Sequence, residues 1–99
     1  MAEGLHLYDI IKRPVITEKS HEMAELANQY TFEVDVRANK IQIAEAVFKI
    51  FDVDVLEVTT MIVPAKRGRR GRRVYTRHSA WKKAVVTLRP GQTIAAFNL

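Results

Sequence analysis

The chain has 99 residues, 47% hydrophobic and 27% charged, which supports one globular domain, 1–99, with a modest core. It contains no cysteine, so a disulfide framework and a thiolate metal site are excluded, and a reducing compartment fits. Its charge is divided along the sequence: residues 1–57 hold all 11 acids and six bases, a net of −5, whereas 58–99 hold ten bases and no acid.

In chain order, Leu7, Tyr8, Ile10 and Ile11 form a short apolar lead expected to lie against the body, and Pro14 forces Arg13 into an extended conformation. The early apolar runs are broken by Lys12, Arg13 and Pro14, so neither a secretory signal nor a membrane span is expected. The chain reads as cytoplasmic, with no membrane partner. Thr17 has the character of a helix N-cap, with Glu18 in the first turn where its charge suits the positive end of the helix dipole. That helix is predicted to reach about Ala27, with Met23, Leu26 and Ala27 inward, Glu22 and Glu25 outward, and Asn28 as a left-handed stop. His21 has no second ligand at metal spacing and reads as a surface side chain.

Residues 29–36 alternate, with Tyr30, Phe32, Val34 and Val36 on one face and Thr31, Glu33 and Asp35 on the other, the pattern of a half-buried strand. Asn39 followed by Gln42 predicts a capping box opening a helix over 40–51. Ile43, Ala44, Val47, Ile50 and Phe51 would face inward, with Gln42, Glu45, Lys49 and Asp52 in water. Phe48 and Phe51 read as core rather than as base-stacking rings. From Val53 to Val63 both alternating sets are apolar or β-branched, which predicts a strand covered on both faces. A last strand over 82–88 would turn Ala84, Val86 and Leu88 inward; Pro90-Gly91 then makes a turn, and Ile94 and Phe97 pin a short tail.

Between these strands, 64–83 reads PAKRGRRGRRVYTRHSAWKK, with nine Lys or Arg and no acid. Its cations are Lys66, Arg67, Arg69, Arg70, Arg72, Arg73, Arg77, Lys82 and Lys83, interleaved with Tyr75, His78 and Trp81. Like charges at this density repel, and Gly68 and Gly71 add backbone freedom, so a mobile loop is expected, with a short strand over 73–77. A polyanion reverses the balance, because guanidinium groups grip phosphate oxygens in pairs and release condensed counterions. The loop 64–81 is therefore read as a nucleic-acid-binding arm, helped by Lys12, Arg13 and Lys40. A block of one sign argues against a role in solubility alone, which mixed signs serve better. The rings suit unpaired bases, commoner in RNA than in duplex DNA, and no helix-turn-helix or zinc-finger spacing appears. Trp81 has a second reading, as an anchor pinning the arm to the sheet.

Catalytic chemistry finds little footing. His6, His21 and His78 are dispersed, and there is no phosphate-binding glycine loop or nucleophile elbow. No enzyme activity, cofactor, metal or small-molecule substrate is expected. The elements predict an α+β chain, a small α-β plait in which an antiparallel or mixed sheet of three to four strands carries packed helices and a long basic loop.

Several ordered motifs carry a resemblance. They are Tyr8-Asp9 with Ile11, Arg13-Pro14-Val15-Ile16-Thr17-Glu18-Lys19-Ser20, Tyr30-Thr31-Phe32-Glu33-Val34, Ala38-Asn39-Lys40, Thr60-Met61 with Val63-Pro64, and Trp81-Lys82-Lys83-Ala84 with Val86-Thr87-Leu88. Together they resemble the family of bacterial large-subunit ribosomal protein twenty-three, over nearly the whole chain. The resemblance implies binding to large-subunit ribosomal RNA beside the peptide exit tunnel, among neighbouring ribosomal proteins. It also implies docking of a ribosome-associated chaperone and the signal recognition particle, with Glu18 as the docking acid. A free-standing RNA-binding regulator would share the charge pattern.

Overall fold

The computed structural model describes residues 6–70 and 73–95, and of 66–78 the backbone. The first element is a short helix, α1 (Leu7–Ile10), capped by a ring nitrogen of His6 that accepts from the Tyr8 amide at 3.3 Å. Strand β1 (Ile11–Pro14) follows and ends on a proline. Helix α2 (Glu18–Ala27) opens with a reciprocal cap: the Thr17 hydroxyl accepts from the Ser20 amide at 3.1 Å, and the Ser20 hydroxyl accepts from the Thr17 amide at 2.7 Å. It stops at Asn28, whose φ of 55° is left-handed, and the chain enters β2 (Gln29–Val34). Helix α3 (Lys40–Phe51) repeats the device, with Asn39 and Gln42 bonding each other's amides at 2.8 and 3.0 Å and Asp52 as a left-handed stop at φ 55°. Four strands complete the chain: β3 (Val55–Val63), β4 (Lys66–Arg70), β5 (Arg73–His78) and β6 (Trp81–Leu88).

Four strands form one sheet in the order β1-β2-β6-β3, each pair antiparallel. The architecture is a small α-β plait. β1 lies at an edge, where a proline deprives no second neighbour of a donor. β4 and β5 pair with each other as a separate hairpin. This hairpin prolongs the β3/β6 ladder: Val63 pairs with Trp81, and after a break at 64–65 and 79–80 the pairing resumes between Lys66 and His78. Pro64 lies in that break, and having no amide hydrogen it cannot carry the ladder through. With the hairpin projecting, the radius of gyration is 15.1 Å, above the ~13 Å of a compact chain of this length.

The core joins Tyr30, Phe32 and Val34 of β2 to Ala84, Val86 and Leu88 of β6 and to Ile43, Ala46 and Val47 of α3, all buried. The Phe51 ring meets Phe32 with centroids 5.5 Å apart. Burying one large apolar side chain stabilises by about 1.5–3 kcal/mol, while one N-cap contributes about 1 kcal/mol. The caps therefore set where helices start, and the shared core holds them on the sheet.

Several sequence expectations need correction. The apolar lead is a helix plus a fourth strand, because β1 finds its partner in β2. Leu26 is 86% exposed and Ala27 is exposed as well; α2 instead turns Ser20, Met23 and Ala24 inward. A polar Ser20 hid that face, yet its hydroxyl is satisfied by the cap and is buried without cost. Val36 falls in the turn after β2 and is exposed. Gln42 is buried, because capping Asn39 draws its amide inward. Phe48 is 49% exposed, since the inward arc of α3 runs through Ile43, Ala46 and Val47. β3 is not covered on both faces: it is an edge strand in which Val58 alone is buried, and a bulge between Val55 and Glu57 leaves Leu56 63% exposed. Ile94 is buried as expected, and Phe97 lies outside the described residues.

Asn28 joins local and long-range order. Its left-handed backbone stops α2, and its side-chain amide donates to the carbonyls of Leu88 and Arg89, both at 3.1 Å. Asn28→Ala should destabilise the fold by about 1–3 kcal/mol, because it strands one part-buried carbonyl and strains the left-handed turn. Asn28→Gly should recover only the backbone share, as read from urea denaturation midpoints of the two variants.

Candidate nucleic-acid interface

The basic stretch is organised by a backbone ladder. Its register pairs Lys66 with His78, Arg67 with Thr76, Gly68 with Tyr75, Arg69 with Val74 and Arg70 with Arg73. Where a loop with a short strand over 73–77 is expected, the backbone over 66–78 forms two paired strands, β5 covering the expected one, and the β3/β6 pairing below holds the two stems at ladder distance. Arg72 and Gly71 lie outside the described residues. For Lys66, Arg67, Arg69, Arg70, Arg73, Tyr75, Arg77 and His78, the site is a matter of backbone position.

At the hairpin's root the side chains are described. A cavity of about 420 Å³ opens at the end of the sheet, lined by Lys12 and Arg13 of β1, Glu33 and Val34 of β2, and Trp81 and Lys82 of β6, with Ser79 and Ala80 at its rim. Four sequence candidates, Lys12, Arg13, Trp81 and Lys82, therefore meet in one place although up to 70 residues separate them. Trp81 is half-buried, at the first position of β6 and opposite Val63. Arg13 Nε stands 3.2 Å from Glu33 Oε1, an ion pair set by the β1/β2 register that places the two residues opposite each other. The Lys82 ammonium donates to the carbonyl of Ala38, tying β6 to the segment that leads into α3. Lys40 follows two residues later as the first residue of α3, exposed. Lys83 is opposite Glu33 on one side and Met61 on the other, outside the cavity lining.

Glu33 is the member that the sequence pattern did not single out. In an alternating strand it reads as one more solvent-facing acid. Its role depends on β1, a strand with too few residues to announce itself.

The turn from β2 to α3 is held by Asp35 and Arg37. Both carboxylate oxygens accept from the guanidinium at 3.1 Å, and Asp35 Oδ1 also accepts from the Arg37 amide at 2.8 Å. These bonds from the Arg37 side chain and backbone pull the Asp35 carboxyl down from 3.8 to about 2 and push the Arg37 guanidinium up.

The acidic helix lies elsewhere. Asn28, the stop of α2, bonds to the carbonyls at the far end of β6, whereas the hairpin leaves from the near end at Trp81. Eight residues of strand separate the two, about 25 Å at ~3.3 Å per residue. Glu18, Glu22 and Glu25 of α2 are all exposed, and His21 stands 3.1 Å from Glu25. Among the described residues no group of three potential ligands is arranged to hold a metal, and no helix is long and apolar enough to cross a membrane.

Fold and charge together define a class: a small α-β plait with a basic hairpin at one end of its sheet and an acidic helix at the other. Comparison with known proteins supplies the family. The model of Ribosomal protein L23 matches residues 9–96. The chain is 51% identical over 94 residues to the large ribosomal subunit protein uL23 of Desulfatibacillum aliphaticivorans, covering 95% of this chain and 98% of that one. It is 50% identical to the protein of that name from Anaeromyxobacter dehalogenans strain 2CP-C, over 96% of this chain and 97% of the relative, and 48% identical to that of Geobacter sulfurreducens, over 96% and 100%. The chain belongs to the ribosomal protein L23 family, a family of structural proteins and not of enzymes.

The Asp35 turn yields a pH dependence. A carboxyl made more acidic by folding stabilises the folded state at pH above its ordinary 3.8, and that contribution is lost as pH falls through about 2. Asp35→Asn should therefore lower the urea midpoint at pH 7, and the gap between variant and parent should close between about pH 4 and pH 2.

Proposed function

We propose that this chain binds large-subunit ribosomal RNA through the hairpin end of its sheet and receives protein partners at the α2 end. As a member of its family it is a structural constituent of the large ribosomal subunit, a cytoplasmic particle. The proposal concerns which parts do what. The observation that carries it is the segregation of charge in space. Nine of the ten bases of 58–99 fall within 66–83, the segment of the hairpin and its root, and 58–99 holds no acid, while α2, which carries three exposed acids, stops beside the opposite end of β6.

The whole chain, 1–99, then acts as one ribosomal-protein domain with its RNA-binding loop at 64–81. Lys66, Arg67, Arg69, Arg70, Arg72, Arg73 and Arg77 supply phosphate contacts, and Tyr75 and His78 supply ring faces for unpaired bases. Lys12, Arg13, Lys40, Trp81, Lys82 and Lys83 extend the surface around the root. This end of the sheet would meet the RNA and neighbouring proteins beside the exit tunnel. Helix α2, with Glu18 exposed in its first turn, would face a ribosome-associated chaperone or the signal recognition particle, whose basic patches its charge would complement. A helix that repels phosphate favours that orientation.

If about six phosphates are neutralised, the logarithm of RNA affinity should fall with the logarithm of salt at a slope of roughly −4 to −5 in filter binding. A slope near zero would remove the electrostatic premise. Glu18→Lys should weaken chaperone docking in ribosome co-sedimentation and leave RNA affinity unchanged. Joint loss would show that the two ends do not act separately.

A further inference from the structure

The cavity at the hairpin's root has features that a phosphate-gripping surface alone does not need. Its lining combines a half-buried indole, three cations and one carboxylate. A site for bare phosphate would not place Glu33 in its wall, since a carboxylate repels an anion at that point. A site for an apolar side chain would not gather Lys12, Arg13 and Lys82. What suits all five is a ligand with a flat, uncharged, hydrogen-bonding body and an anionic edge.

We propose that this cavity takes a single unpaired nucleotide extruded from the RNA, its base against Trp81 and its phosphate on Lys12 and Arg13. The proposal rests on the reading of the hairpin end as an RNA surface and adds a discrete pocket to it. The cations differ in their commitments. The Lys82 ammonium is engaged with the Ala38 carbonyl, so it shapes the wall. Arg13 is paired through Nε to Glu33 yet leaves 70% of its side chain exposed, and Lys12 is exposed and enters no ion pair among the described residues. These two sit on the neighbouring strand at the outer side, where the backbone of an entering nucleotide would trail.

Glu33 then orients the ligand. With 19% of its side chain exposed and its charge partly balanced by Arg13, it turns phosphate away from the wall and accepts from a base N–H. A volume of about 420 Å³ falls within the usual range of ligand sites, ~300–1,000 Å³. Duplex RNA cannot enter in this way, because its paired bases keep their ring faces stacked inside the helix. The Ala38 carbonyl bond and the Asp35 turn behind it hold the wall in place before the nucleotide arrives.

Trp81 is the single tryptophan of the chain, so its fluorescence reports on this cavity alone. Single-stranded oligoadenylate titrated into the full chain at moderate salt should quench that emission saturably. A duplex of equal charge should bind the hairpin, as seen by mobility shift, with the emission unchanged. Trp81→Tyr keeps a stacking face and should hold the single-strand affinity, whereas Trp81→Leu should lose about tenfold. Lys12→Ala with Arg13→Ala, both at exposed positions and so independent of any folding defect at Trp81, should also weaken single strands about tenfold, with a smaller effect on the duplex. Single-strand binding with unaltered emission, or equal quenching by the duplex, would overturn the pocket while leaving the hairpin reading in place. No binding of either RNA would instead overturn the hairpin reading itself, and the pocket with it.

Discussion

Everything in this molecule hangs on the pairing of β6 with β2 on one side and β3 on the other. The last strand to be made sits in the interior of the sheet, and its Ala84, Val86 and Leu88 are as fully buried as any residues in the chain. Closing that ladder brings Val63 opposite Trp81 and so clamps both stems of the intervening 64–80 segment. A stretch of like charges that would spread apart in water is thereby returned to ladder spacing at its base. The hairpin's direction is inherited from the sheet, and the energy that holds it comes from apolar burial some distance from any arginine.

The same ladder separates the charges. Because β6 runs from the hairpin root to the Asn28 cap, its length is the spacing between that root and the C-terminal stop of α2. Over about 25 Å, more than two Debye lengths at physiological salt, a charge at the Asn28 end of β6 is screened from the hairpin root. The reciprocal caps of α2 and α3 serve this arrangement by fixing where each helix begins, so that Glu18 stands in an exposed first turn and Lys40 opens α3 near the hairpin end.

Much of this was legible from local chemistry. Thr17, Asn28, Asn39 and Gln42 announced their helix ends because capping involves residues only a few positions apart; the Asn39/Gln42 box forms as expected, and Ser20 adds a second box at Thr17 that the pattern did not signal. The inward faces of β2 and β6 were equally plain, but Thr31, expected to face outward, is buried at 2%, as is Val85 at 8%, because the interior strands are covered on their second face at mid-sheet. Misreadings clustered where burial depends on distant partners. β3 looked doubly covered, yet an edge position leaves Leu56, Met61 and Ile62 exposed whatever their polarity. Leu26 looked inward by composition, but the face of α2 that packs is chosen by where the sheet lies. Of the candidate interface, the cations were visible as a run, whereas the meeting of Lys12 and Arg13 with Trp81 was not, because it follows from strand order.

By itself, then, the sequence determined the boundaries of α2 and α3, the interior strands, the concentration of positive charge after β3 and the family motifs, all of which depend on residue type and short spacing. The tertiary structure alone decided that β1 is a strand, that the basic segment is a hairpin prolonging β3 and β6, that Glu33 faces Arg13, and that α2 stops beside the end of β6 away from the hairpin. The reason is physical. Strand order and register are settled by pairings between residues far apart in the chain, whose free energy appears only when the whole sheet closes.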